Sequence, residues 1–220
     1  MLIFVAFLFF SGQAHSLPLS MSVLDSQGNF VSIIDGSGTD NNSLAGVVGW
    51  SGKLGVWNVN VVTGISSPVL GGSGLVQMDL NSVNVSAKSG SLRIILTDGN
   101  YSYPWQSGGL VMTNRIGGTF QNTATATGRI FGSGSLHQVD NAILGPGAAS
   151  DEAVLSVDGF AGDFYLQEIV TIIHSGAGIS SFDKELVVTP VPEPVSFVLF
   201  GAGLLVAGVF FRYRDTRRQL

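Results

Sequence analysis

The chain contains no cysteine. That excludes a disulfide framework, thiolate metal sites and thiol chemistry, so any core must be held by packing. Charge is scarce as well: only 11% of the 220 residues are charged. Little Lys and Glu beside 30 glycines is poor helix material, and no stretch of the body carries a 3.6-residue apolar stripe. Three histidines, His15, His137 and His174, are too few and too scattered for an evident metal cluster. There is no G-x-S-x-G elbow, no G-x-x-x-x-G-K-S/T loop, no H-E-x-x-H and no G-x-G-x-x-G run. No repeat of fixed period occurs, which argues against solenoids and propellers.

What is present is alternation. Trp57, Val59 and Val61 fall on one face of a strand, with Asn58 and Asn60 on the other. Val76, Met78 and Leu80 alternate, and Val83 and Val85 resume out of phase, which predicts a bulge or corner near Asn81-Ser82. Leu92, Ile94 and Leu96 form another strand, closed by Asp98-Gly99-Asn100. Further strands are expected at Phe30 to Ile34, Leu110 to Asn114, Thr119 to Thr127, Leu136 to Ile143, Ala153 to Val157, Phe164 to His174 and Lys184 to Thr189. About ten strands between Gly-rich turns predict an all-β fold, an antiparallel β-sandwich, with a jelly roll as one topology open to it.

The two ends read differently from the body. Leu2 to Phe10 is an apolar run too short to span a bilayer, followed by small and polar residues, as in a secretory signal. Cleavage frames of small residues occur at Gly12-Gln13-Ala14 and Ala14-His15-Ser16, so residues 1–16 are expected to be removed; no Lys or Arg precedes the apolar run. At the other end, Pro192-Glu193-Pro194 precedes an uncharged run, Val195 to Phe211. As a helix, that run would span about 25 Å, a little short of a ~30 Å hydrocarbon core. Arg212, Arg214, Arg217 and Arg218 would each cost roughly 2.5–3.5 kcal/mol at mid-bilayer, which holds the tail on the cytoplasmic side. Without those arginines and Asp215, six basic residues face fourteen acidic ones, a net of −8. That balance disfavours nucleic acid and anionic lipid as partners.

A Pro-Glu-Pro tripeptide, one hydrophobic helix and a terminal arginine cluster, in that order, resemble the PEP-CTERM sorting signal over residues 191–220. The resemblance implies an exported bacterial protein that crosses the inner membrane, is cut near the tripeptide by an exosortase-type transpeptidase, and ends in the cell envelope or extracellular matrix. The body, residues 17–190, is less specifically similar to the same group through DGSGTDNNSLAGVVGW, GVWNVNVVTGISSPVLG, MDLNSVNVS and QEIVTIIHSGAGISSFDKELVV. That likeness implies a shared exported β-domain associated with exopolysaccharide or biofilm, and it supplies no catalytic residues.

Candidate sites are few. Asp35-Gly36-Ser37-Gly38-Thr39-Asp40-Asn41-Asn42 offers the carboxylates, amides and flexible backbone that calcium needs, with Asp35 and Asp40 as the strongest ligands. Turn chemistry accounts for the same residues without an ion. Tyr101, Tyr103 and Trp105 cluster beside a turn, where exposed rings could stack on sugar faces or else cover the core. Asp151, Glu152, Asp158 and Asp163 could hold a glycosidase pair, which needs carboxyls ~5–10 Å apart, or be solvated turn acids. His174 and Glu168 share one strand face about 20 Å apart and cannot form a dyad within it; His137 reads as an ordinary polar strand residue. The sequence therefore predicts a non-enzymatic exported β-sandwich without a required cofactor. A carbohydrate-binding module is the alternative, and a polysaccharide-acting hydrolase the third reading.

Overall fold

The computed structural model describes residues 18–72, 75–102, 109–132, 134–158, 162–191 and 203–204, with the side chains of 61, 100 and 102 excepted. Twelve strands occur among them: β1 (Ser20–Asp25), β2 (Phe30–Ile34), β3 (Val47–Leu54), β4 (Trp57–Ile65), β5 (Val76–Ser86), β6 (Gly90–Ser102), β7 (Leu110–Phe120), β8 (Thr123–Gly132), β9 (Ser135–Asp140), β10 (Gly147–Val157), β11 (Asp163–His174) and β12 (Gly178–Pro190). They form two six-stranded antiparallel sheets, ordered β2-β1-β6-β11-β8-β9 and β10-β7-β12-β5-β4-β3.

The connectivity is nested. β5 pairs with β12, β6 with β11, β7 with β10 and β8 with β9, and successive pairs fall in alternate sheets. This is the wrapping of a jelly roll. β1 and β2 widen the first sheet beyond β6, and β4 and β3 widen the second beyond β5.

The alternating apolar residues meet between the sheets as one cluster that includes Met21, Ile94, Leu166 and Ile172 from the first and Trp57, Val62, Met78 and Leu186 from the second. Burial of this kind contributes roughly 25 cal/mol per Å² of apolar surface.

Several expected boundaries move. Thr119 to Thr127 is two strands, broken at Gln121-Asn122, and the strand at Leu136 ends at Asp140. β5 has no bulge at Asn81-Ser82; it pairs with β12 without a break, and Ser82, Asn84 and Ser86 face inward. Those polar groups break the apolar alternation because they bond within the core, so polarity there does not report the face. The bulge lies instead in β4, between Val59 and Val61, after which Val62 is the buried residue.

Among the described residues no helix is long and apolar enough to cross a membrane. Residues 203 and 204 are helical; the rest of the expected span, residues 1–16, the Pro-Glu-Pro tripeptide and the four arginines lie outside the described residues.

Candidate functional site

The Asp35–Asn42 loop is a network of capped turns. Asp40 Oδ1 accepts the amides of Asn42 and Gly49, both at 2.9 Å, and its Oδ2 accepts that of Gly36 at 3.2 Å. Asp35 Oδ2 accepts the amide of Gly46 at 2.7 Å. Calcium at this loop would have to compete with those backbone donors. Among the described residues no group of three or more His, Asp or Glu side chains is placed to hold a metal ion.

Tyr101 is an internal strut rather than an exposed platform. Its ring packs against Phe164 with centroids 5.5 Å apart, its hydroxyl donates to Asp98 Oδ2, and Ser66 Oγ lies 2.5 Å away. Burial and the Asp98 carboxylate push its phenol above the ordinary tyrosine range. Tyr103 and Trp105 lie outside the described residues.

The acids of β10 point to opposite faces. Glu152 bonds Arg115 at 2.6 Å on the outer face, whereas Asp151 accepts the Ala142 amide at 2.8 Å and Asn141 Nδ2 at 3.1 Å. Those donors hold the Asp151 carboxyl below its usual range.

The outer face of the second sheet carries an open groove of about 700 Å³ lined by Asp79, Arg115, Gly117, Ser150, Asp183 and Glu185 among others. Gly117 presents no side chain there. Burial and the neighbouring Asp183 raise Asp79 to about 6. Asp79 and Asp183 are within hydrogen-bonding reach of each other, nearer than the ~5–10 Å of a glycosidase pair.

On the outer face of the first sheet, the register brings Leu136, Phe131 and Tyr165 side by side on β9, β8 and β11. Phe131 and Tyr165 are stacked, with centroids 4.5 Å apart and planes at 9°, and Leu136 is 51% exposed. Beside this apolar strip runs a polar row. Arg129 Nε donates to Gln138 Oε1 at 2.8 Å and its Nη1 to Gln167 Oε1 at 3.4 Å, while Gln167 Nε2 reaches Thr97 Oγ1 at 3.2 Å. The edges of the two rings and the exposed leucine, next to guanidinium and amide groups, can contact the C–H face of a pyranose ring while those groups bond its hydroxyls. Phe131 and Tyr165 are far apart in sequence, and only strand register joins them.

The core itself holds two polar systems. Glu168, Lys184 and Asn114 are buried together, continuing through Asn141 to Asp151 at the edge. Desolvation raises Glu168 to about 7 and lowers Lys184, outweighing their mutual attraction. At the other end, His174 Nδ1 lies 2.6 Å from Ser86 Oγ and Nε2 lies 2.7 Å from Ser180 Oγ, with Trp57 packed on the ring at 4.6 Å. The sequence does carry a signal for the first system, a charge occupying an inward slot of an alternating strand in both β11 and β12.

Neither a family model nor a curated protein matches the chain. Among solved structures, a carbohydrate-binding module in complex with β-1,4-galactotriose is similar at a TM-score of 0.33 and 9% identity, over 60% of this chain and 88% of that one. Carbohydrate-binding modules of promiscuous specificity from the β-sandwich superfamily give 0.35 and 13%, over 80% and 74%. The infectious bursal disease virus Gx strain gives 0.34 and 12%, over 83% and 53%. At such scores the likeness carries no argument about ligand.

Proposed function

We propose that this chain is a non-enzymatic, exported β-sandwich that binds neutral extracellular polysaccharide through the Leu136–Phe131–Tyr165 strip and the adjoining Arg129–Gln167 row. The observation that carries the reading is the stacked Phe131–Tyr165 pair on a solvent face of the sandwich. A sugar chain lying along it would bury C–H faces on ring and Leu136 surface, with Arg129, Gln138 and Gln167 within reach of its hydroxyls. The excess of acidic residues in the body favours a neutral glycan over an anionic one. Screening the exported protein against immobilised neutral and anionic glycans tests this: retention on a neutral glycan is expected, and no retention on any would remove the reading.

Export and sorting rest on the sequence of the two ends. A cut near Pro192-Glu193-Pro194 would leave β12 whole, since it ends at Pro190 between β7 and β5. In a host with an exosortase, intact-mass measurement of the exported protein should find residues 195–220 missing. Material that keeps the full tail would instead be permanently anchored.

A further inference from the structure

The geometry points to an intramolecular amide cross-link: we propose that Lys184 Nζ condenses with the side-chain amide of Asn114, assisted by Glu168, with release of ammonia.

Strand pairing makes the encounter. β7 and β12 are neighbours, with Lys184 opposite Ile116 and Leu186 opposite Asn114, so Lys184 and Asn114 sit diagonally on the same inward face. Their side chains reach each other directly, Lys184 Nζ lying 2.5 Å from Asn114 Oδ1. Oδ1 and Cγ are about 1.2 Å apart. The amide carbon therefore lies no further than about 3.7 Å from the amine, close to the ~3–3.5 Å of a near-attack geometry. Glu168, on β11 of the opposite sheet, places Oε1 3.2 Å from the same Nζ. Lys184 is 1% exposed and Asn114 and Glu168 are 0% exposed, so water is excluded from all three.

The amide is held in the orientation that attack requires. Asn114 Nδ2 donates to the Val139 carbonyl at 3.2 Å and to Asn141 Oδ1 at 2.6 Å. A backbone carbonyl only accepts, so Nδ2 faces Val139 and Oδ1 faces the amine. Gly128 keeps the space open: a Cβ there would sit 2.7 Å from Leu186 Cδ1 and 3.1 Å from Asn114 Oδ1. Glu168 Oε2 is buried without a hydrogen-bond partner, an arrangement that a purely structural ion pair does not explain.

The chemistry balances without an external reactant. Burial favours the neutral amine of Lys184, whose lone pair attacks Asn114 Cγ. The carboxyl of Glu168, raised by burial, can donate a proton to the developing oxyanion and then relay the proton lost by Nζ to Nδ2. The Nζ–Cγ bond forms, the Cγ–Nδ2 bond breaks, and ammonia leaves; nothing is oxidised or reduced. The product ties two interior strands of one sheet across 70 residues of chain. In a chain without cysteine it gives the covalent reinforcement that disulfides give other exported domains.

Intact-mass measurement of the full chain, purified folded and then denatured, tests the proposal. The wild type should weigh one ammonia less than its sequence, and digestion should yield a branched peptide joining the segments that carry Asn114 and Lys184. Glu168→Gln, Asn114→Ala and Lys184→Met should each show the full sequence mass. If the variants fail to fold, the wild-type mass and branched peptide decide alone. A folded wild type of full mass with no branched peptide would overturn the proposal, as would ammonia loss that persists in Lys184→Met.

Discussion

Lys184 Nζ lies 3.2 Å from Glu168 Oε1, one residue from each sheet, and neither side chain has any exposed surface. A buried pair of this kind gains less from attraction than it loses in desolvation unless other bonds complete it. Asn114 completes the lysine, but Glu168 keeps a bare oxygen. The centre of the sandwich is therefore a place where stability depends on pH and on covalent chemistry.

The pH dependence has a definite sign. Below the ordinary glutamate value of 4.5 both folded and unfolded chains hold the Glu168 proton; above it the unfolded chain ionises first, and the folded chain follows near 7. Wild type should therefore lose stability relative to Glu168→Gln as pH rises from about 4.5 to about 7. The sign is the same after amide formation, which takes away the amine facing Glu168. Denaturant midpoints of the two proteins across that range check it; a difference that stays flat or grows in favour of wild type would contradict it.

His174 titrates in the opposite sense. Ser86 Oγ donates to the Gly176 carbonyl at 3.1 Å and so accepts from His174 Nδ1–H, while Ser180 Oγ accepts the Gln121 amide at 2.9 Å and donates to Nε2. With burial favouring the neutral ring, the network selects the Nδ1–H tautomer. Burial depresses the folded value below 6.5, so stability is present above 6.5 and is lost as pH falls from there to the folded value. Nitrogen-15 NMR should find Nδ1 protonated and Nε2 bare at neutral pH. The reverse tautomer, or an imidazolium persisting above pH 7, would contradict the assignment.

Two adjacent glycines should respond differently to alanine. At Gly118 an added Cβ would lie 2.2 Å from the Ser181 carbonyl oxygen and 2.9 Å from Phe182 Cα, backbone atoms that cannot turn aside. At Gly117 the nearest atom is Ser150 Cβ at 3.8 Å, an ordinary contact. Gly118→Ala should cost at least about 1–3 kcal/mol and Gly117→Ala well under that. Thermal melts of both variants provide the comparison, and equal effects would show that β7 and β12 can separate locally.

Local pattern carried the fold a long way and the sites only a short one. Phe30 to Ile34 and Phe164 to His174 were legible because both are short runs rich in β-branched and aromatic residues, although polarity does not follow the face there: Phe30 and Ile34 point outward, Glu168 and His174 inward. Ser82, Asn84 and Ser86 misled because inward polar groups with partners look like outward ones. Tyr101 belongs to an aromatic cluster in sequence, yet its ring is drawn onto Phe164, which alternation alone does not reveal. Phe131 with Tyr165, and Asn114 with Lys184, depend on the register of strands distant in sequence. The tail is the reverse case: its reading rests on sequence, and most of it lies outside the described residues.

The Asp40 carboxylate should matter for stability whatever ion is present. It closes the turns at Gly36, Asn42 and Gly49 together. Asp40→Ala should cost about 2 kcal/mol or more, since hydrogen bonds to a charged acceptor contribute roughly 1.5–3 kcal/mol each. Melting curves of wild type and variant, with and without calcium, measure both the turn and any ion that competes for it.

Calorimetric titration with a neutral glycan retained in the screen tests the polysaccharide reading most directly. Tyr165→Ala and Phe131→Ala should each weaken binding about two- to tenfold, since aromatic stacking contributes roughly 0.5–1.5 kcal/mol beyond buried area. Arg115→Ala, in the groove of the opposite sheet, should bind like wild type. Strip variants that bind as tightly as wild type, with Arg115→Ala binding lost, would move the site to that groove and contradict the account.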